Sequence, residues 1–270
     1  MFLVGTPHSA LYPPTKLVIW DDQKMSISAE LRFNTAILSV RLRRDIFSVV
    51  LEDQIYVYKI SDLMLNDIIL TLNNRKGLCC LNSAGNYPVL SYLEKDKGTI
   101  AVKFYQDDTI RLIKAFEIFV AYMEINQDGS LLACASVTGK QIKVFSTDSK
   151  ELLYTLHRGI DKAEIHCIAF HPTLEFLAVT SDRGTIHIYK TGESDGKKDG
   201  RSMKKMIAKY FVNQTSYSQF KLKNTRTICC FAKDNTTVIL LTEEGEYLSI
   251  NYSEPGECKL VERYNLLEIN

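Results

Sequence analysis

Short apolar runs, closed by turns rich in Gly, Asp and Asn, recur along the whole chain with a fixed internal order. The runs ILSVRL from Ile37, LCCLNS from Leu78, AYMEIN from Ala121, HCIAFH from His166 and ICCFAK from Ile228 stand 41, 43, 45 and 62 residues apart. Each leads through a turn to a second apolar run and then to a third: QIYVYK from Gln54, GTIAVKF from Gly98, GKQIKVF from Gly139, GTIHIYK from Gly184 and GEYLSIN from Gly245. Alternation of period two marks half-buried strands, and unbroken apolar runs mark strands covered on both faces. About four strands in a period of roughly 40 to 45 residues is the pattern of propeller blades. One small twisted sheet cannot cover both its faces, so such units stack around an axis and bury them against neighbours. KLVIWDDQKMSISAELRF, residues 16–33, supplies the outer strands of an earlier blade, for between five and six blades. Helical periodicity is scarce, which argues against an α/β enzyme fold with crossover helices. The pattern predicts an all-β propeller of four-stranded antiparallel blades, a single domain over residues 1–270.

One segment breaks the repeat. TGESDGKKDGRSMKKMIAKYFVNQ, residues 191–214, reads as a long loop inserted inside a blade. Within it Met203, Met206, Ile207 and Tyr210 fall on one face of a helix, while Lys204, Lys205 and Lys209 point largely elsewhere. A basic amphipathic segment of this kind lies in the headgroup layer of a bilayer, each lysine contributing about 1 kcal/mol against anionic lipid. It is too short to hold a helix alone in water and is expected to order on the membrane. The alternative is a solvated loop whose end, AKYF, begins the next strand.

Composition narrows the function. With 46% hydrophobic and 24% charged residues the chain is ordinary globular protein, and its net charge of +1 leaves any affinity for anions to local clusters. Nucleic-acid binding is disfavoured for the same reason, since no basic, aromatic-lined face stands out. No stretch approaches the roughly 18 to 20 apolar residues that cross a bilayer, and MFLVGTPHSALYPP lacks the form of a signal peptide, so a soluble cytosolic protein is expected. The seven cysteines, among them the pairs Cys79-Cys80 and Cys229-Cys230, show neither C-x-x-C nor zinc-ligand spacing. They read as reduced, buried fillers, with no metal and no cofactor implied. The absence of G-x-S-x-G, H-E-x-x-H and paired carboxylates in a glycine-rich loop argues against an enzyme.

Several blocks carry a resemblance: YPPTKLVIWDD from Tyr12, VRLRRDIFSVVLEDQIYVY from Val40, KGLCCLNS from Lys76, LHRGIDKAEIHCIAF from Leu156, SDRGTIHIYK from Ser181 and GECKLVERYNLLEI from Gly256. In this order and spacing they are similar to the PROPPINs, the WIPI-type WD-repeat propellers of autophagy. The resemblance implies a seven-bladed propeller, with about one N-terminal blade missing here. It implies a peripheral adaptor that binds phosphatidylinositol 3-phosphate and 3,5-bisphosphate on phagophore, autophagosome or endosomal membranes and works with autophagy proteins such as a large lipid-transfer protein. The hallmark F/L-R-R-G motif stands here as Leu156-His157-Arg158-Gly159. In the family its two arginines serve separate headgroup sites, as consecutive strand side chains would. Carried over by position, one site takes Arg158, Gly159, Ser181, Thr185 and His187. The other takes His157, Ser136, Gly139, Lys140 and Lys143, and is expected to be weaker because histidine replaces an arginine that is always charged. The family also carries a membrane-inserting loop at the position of residues 191–214. A protein-only scaffold whose lipid sites have decayed stays open as the alternative.

Overall fold

The computed structural model describes residues 1–71, 73–192 and 213–268. They form six sheets stacked like the blades of a propeller, numbered here in chain order. Blade 1 holds Phe2–Val4, Lys16–Asp21 and Ser26–Arg32. Blade 2 holds Ser39–Leu42, Ile46–Val50, Gln54–Lys59 and Leu65–Leu70. Blade 3 holds Cys79–Leu81, Val89–Leu93, Thr99–Phe104 and Thr109–Lys114. Blade 4 holds Val120–Ile125, Leu131–Ser136, Gln141–Ser146 and Leu152–His157. Blade 5 holds Ile165–Phe170, Phe176–Ser181, Thr185–Lys190 and Ser218–Lys221. Blade 6 holds Thr227–Phe231, Thr237–Thr242, Glu246–Asn251 and Lys259–Asn265.

Within each blade successive strands pair antiparallel, and the first strands of blades 2 to 6 lie innermost, each beside the next. The all-β expectation holds, and the blade count falls at the top of its range. Two details differ from a uniform four-stranded plan. Blade 1 has three strands, its innermost being Phe2–Val4, a strand too short to show a pattern in the sequence. Blades 4 and 5 each gain a fifth, two-residue strand that runs parallel to the outer edge: Asn213–Gln214 beside Thr155 and Leu156, and Gly256–Glu257 beside Ser218 and Gln219.

The core is divided among the joints between blades. Five apolar clusters each draw on two consecutive blades, from Leu17 and Phe47 between blades 1 and 2 to Ile188 and Leu240 between blades 5 and 6. Among the described residues no cluster joins blade 6 to blade 1. The outward face of blade 6 shows the result. Cys229 joins the core shared with blade 5, whereas Ile228, 53% exposed, and Cys230 alternate to the other side. Cys230 therefore departs from the expectation of buried thiols, while the other six cysteines are free and buried.

Polar joints reinforce the apolar ones. The Arg43 guanidinium, buried at the end of the first strand of blade 2, pairs with Asp45 at 2.9 Å and donates to the carbonyls of Ala84 and Gly85 in blade 3. Thr180 and Thr227 tie blade 5 to blade 6 in the same way, hydroxyl to carbonyl at 2.6 Å.

Candidate functional site

The LHRG segment ends the outer strand of blade 4. Leu156 is fully buried in the cluster that blades 4 and 5 share. His157 stands directly opposite Gln141, and Thr155 opposite Lys143, on the face turned toward blade 3. Arg158 follows and turns back toward blade 5, so neighbouring residues serve two different clefts, as strand alternation requires.

Arg158 is held by the turn that precedes it in space. Its backbone amide donates to the Lys140 carbonyl at 3.0 Å, its Nε donates to the Gly139 carbonyl at 2.8 Å, and its Nη2 donates to the carbonyl of Asp161. Nη1 has no such partner among the described residues. Gly139 makes this turn possible: its φ is +58°, and a Cβ there would lie 2.0 Å from the Ala163 oxygen. Burial pulls the Arg158 pKa down, and the neighbouring Arg183 charge adds to that. The guanidinium stays charged all the same.

Facing Arg158 from blade 5 is His187, in the third strand. Its Nδ1 is buried and has no hydrogen-bond partner among the described residues. Burial first, and the Arg158 charge second, push its pKa down to about 4, so the ring is neutral near pH 7. Tyr189, two residues on, is fully buried and donates from its hydroxyl to the His157 carbonyl at 3.1 Å, clipping the two blades together. Ser181 is buried with Oγ accepting from the Arg183 amide at 3.4 Å, and Thr185 opens the His187 strand half-buried. A Cβ at Gly159 would meet nothing within 4 Å, so open space lies beside it and nothing within the chain demands glycine there. Arg158 and His187 thus come together in one cleft between blades 4 and 5, with Ser181 and Thr185 on the blade 5 side.

The second set is dispersed. Lys143 donates to the Ala115 carbonyl at 2.8 Å and lies 4.7 Å over the Phe116 ring, so its charge is committed to blade 3. His157 has a buried Nε2 with no partner among the described residues. Ser136 shares a 2.9 Å hydrogen bond with Thr138, and the Lys140 side chain is exposed. Gly139, assigned by position to this set, supports Arg158 instead.

The loop residues Met203, Lys204, Lys205, Met206, Ile207, Lys209 and Tyr210 lie outside the described residues. The two ends of the insertion are described. Thr191 is buried and donates to the Leu174 carbonyl at 2.8 Å, and the chain returns at Asn213–Gln214 on the outer edge of blade 4, two residues from Arg158 in register.

A PROPPIN family model matches residues 9–238. The chain belongs to the PROPPIN family. Autophagy-related protein 18e of Arabidopsis thaliana is 32% identical over 257 residues, covering 93% of this PROPPIN and 68% of the plant protein. Autophagy-related protein 18 of Dictyostelium discoideum is 29% identical, covering 88% and 72%. Among solved structures, Kluyveromyces lactis Hsv2 with a complete loop 6CD superposes with a TM-score of 0.77 at 25% identity, over 93% of this chain and 81% of that one. Among the described residues of this PROPPIN, no helix is long and apolar enough to cross a membrane and no group of three metal-ligating side chains gathers.

Proposed function

We propose that this PROPPIN is a non-enzymatic adaptor of autophagy that binds phosphatidylinositol 3-phosphate or 3,5-bisphosphate on membranes. The observation that carries the reading is the cleft between blades 4 and 5. There an arginine with one free nitrogen and a histidine with a buried, unpartnered nitrogen converge beside open space and two hydroxyls. Such a pair suits a phosphate: Arg158 offers a fixed charged fork, and bound phosphate favours protonation of His187, giving its lone nitrogen a role. Ser181 and Thr185 donate from their hydroxyls, and Gly159 leaves room for the ligand. His157, Lys140, Lys143, Ser136 and Gly139 offer only a weaker second contact for an anionic headgroup, because Lys143 and Gly139 are already committed within the chain. The insertion, through Met203, Met206, Ile207 and Tyr210 with its three lysines, contacts the bilayer. Membrane attachment is peripheral, from the cytoplasm, and a large lipid-transfer protein is a partner class.

The reading as a protein scaffold without lipid binding has its own support, because Lys143 and two of the Arg158 nitrogens are already committed within the chain. The neighbour KlAtg21, solved in a complex with the coiled coil of AgAtg16, shows that a protein of this fold docks a helical partner. Vesicle flotation separates the readings. With phosphatidylinositol 3-phosphate in the vesicles, Arg158→Ala should lower binding on the order of tenfold to a hundredfold, the loss of one charged hydrogen-bonded contact. Wild-type flotation by Arg158→Ala would favour the scaffold.

A further inference from the structure

Resting on the reading that the blade 4–5 cleft binds a phosphorylated headgroup, its charge can be counted. Arg158 supplies one positive charge, His187 is neutral in the free protein, and Ser181 and Thr185 carry none. A phosphate monoester brings between one and two negative charges near neutral pH. Asp161 and Asp182 add negative charge close to Arg158. Arg183, whose charge also acts on Arg158, has its Nε and Nη2 on the Lys162 carbonyl.

The outer strand of blade 5 supplies what is missing. It pairs antiparallel with the His187 strand so that Lys221 stands opposite Thr185 and Gln219 opposite His187. Directly paired residues share one face of a sheet, with Cβ atoms about 4.5 to 5.5 Å apart. That face is the one turned to blade 4, since Val179, paired with His187 on its other side, belongs to the core that blades 4 and 5 share. Lys221 is exposed and makes no ion pair among the described residues.

We infer that Lys221 and Gln219 form the outer wall of the Arg158 cleft. Lys221 provides a second permanent positive charge on the headgroup, besides the proton that bound phosphate favours on His187, Gln219 provides a neutral donor and acceptor for ring hydroxyls, and Lys221 sets the preference for headgroups with more phosphates. A cation on the fourth strand of blade 5 meets a second ring phosphate that Arg158, fixed deeper by two carbonyls, does not reach.

The test is calorimetric titration of soluble inositol 1,3-bisphosphate and inositol 1,3,5-trisphosphate into wild type, Lys221→Gln, Lys221→Arg and Arg158→Ala. Lys221→Gln should weaken the trisphosphate on the order of tenfold and the bisphosphate by clearly less, with an unchanged melting temperature, and Lys221→Arg should restore both. If Lys221→Gln binds both ligands like wild type while Arg158→Ala loses them, the assignment of Lys221 is wrong and the cleft stands. Equal losses on both ligands, or an equal loss on phosphatidylserine vesicles without phosphoinositide, would reduce Lys221 to a general membrane contact and overturn its role in selectivity. Wild-type binding by Arg158→Ala would remove the cleft itself, and Lys221 with it.

Discussion

At the scale of the residue, the behaviour of His187 follows from its neighbours. An imidazole whose pKa falls from 6.5 to about 4 is stabilised as the neutral form in the folded chain. Below pH 6.5 the unfolded chain binds a proton there that the folded chain refuses, so this contribution is intact above 6.5 and is lost progressively as pH falls toward 4. The total at stake is on the order of 3 kcal/mol at most. Urea unfolding at several pH values should show the decline in the free protein, and His187→Gln should flatten it. Saturating headgroup should offset it, because bound phosphate favours the imidazolium. An identical pH profile in the variant would mean that His187 does not titrate as its surroundings require. The sequence made the residue types of this cleft legible through SDRGTIH and LHRG. It did not show that Arg158 is anchored on the Gly139 and Asp161 carbonyls, because those contacts arise from turns brought together by two blades.

Elements were legible in proportion to their length. Strands of five or six residues leave a period-two or unbroken apolar pattern, and the repeat placed the first and third strands of blades 2 to 6 by residue, while outer strands such as Leu65–Leu70 and Thr109–Lys114 were expected without a position. Phe2–Val4 and the two-residue strands at 213–214 and 256–257 leave none, being fixed by backbone pairing rather than by side chains. The Arg43 clasp sits inside VRLRRD, yet its partners Ala84 and Gly85 lie about 40 residues on, in a loop whose shape no local pattern encodes. For the insertion, replacing Met203, Met206 and Ile207 by Asp should abolish stable liposome association while soluble headgroup still binds. Carboxylates on an apolar face resist entry into the headgroup layer, where neutral residues gain. Unchanged flotation of the triple variant would rule the segment out as a membrane contact.

Across the whole molecule, sharing each core between two blades couples stability to the cleft. Leu156 is fully buried between blades 4 and 5, immediately before His157, so Leu156→Ala should cost about 2 to 5 kcal/mol. Affinity for headgroup should fall with it, as the blades that frame Arg158 and His187 loosen. Ile160, 86% exposed on the same turn, is the contrast: Ile160→Ala should leave the denaturation midpoint unchanged. Equal midpoints for the two variants would mean that the blades are not held by their shared cores. The parallel rung at Asn213–Gln214 adds one consequence. It returns the insertion to the edge of blade 4 beside His157, while the other end leaves blade 5 from Thr191. Both ends of the segment are therefore pinned on the two blades that frame the Arg158 cleft. Under the proposed function, once either the cleft or the segment has met the bilayer, the other would meet it at an effective concentration of about millimolar, so their dwell times on a membrane would multiply rather than add.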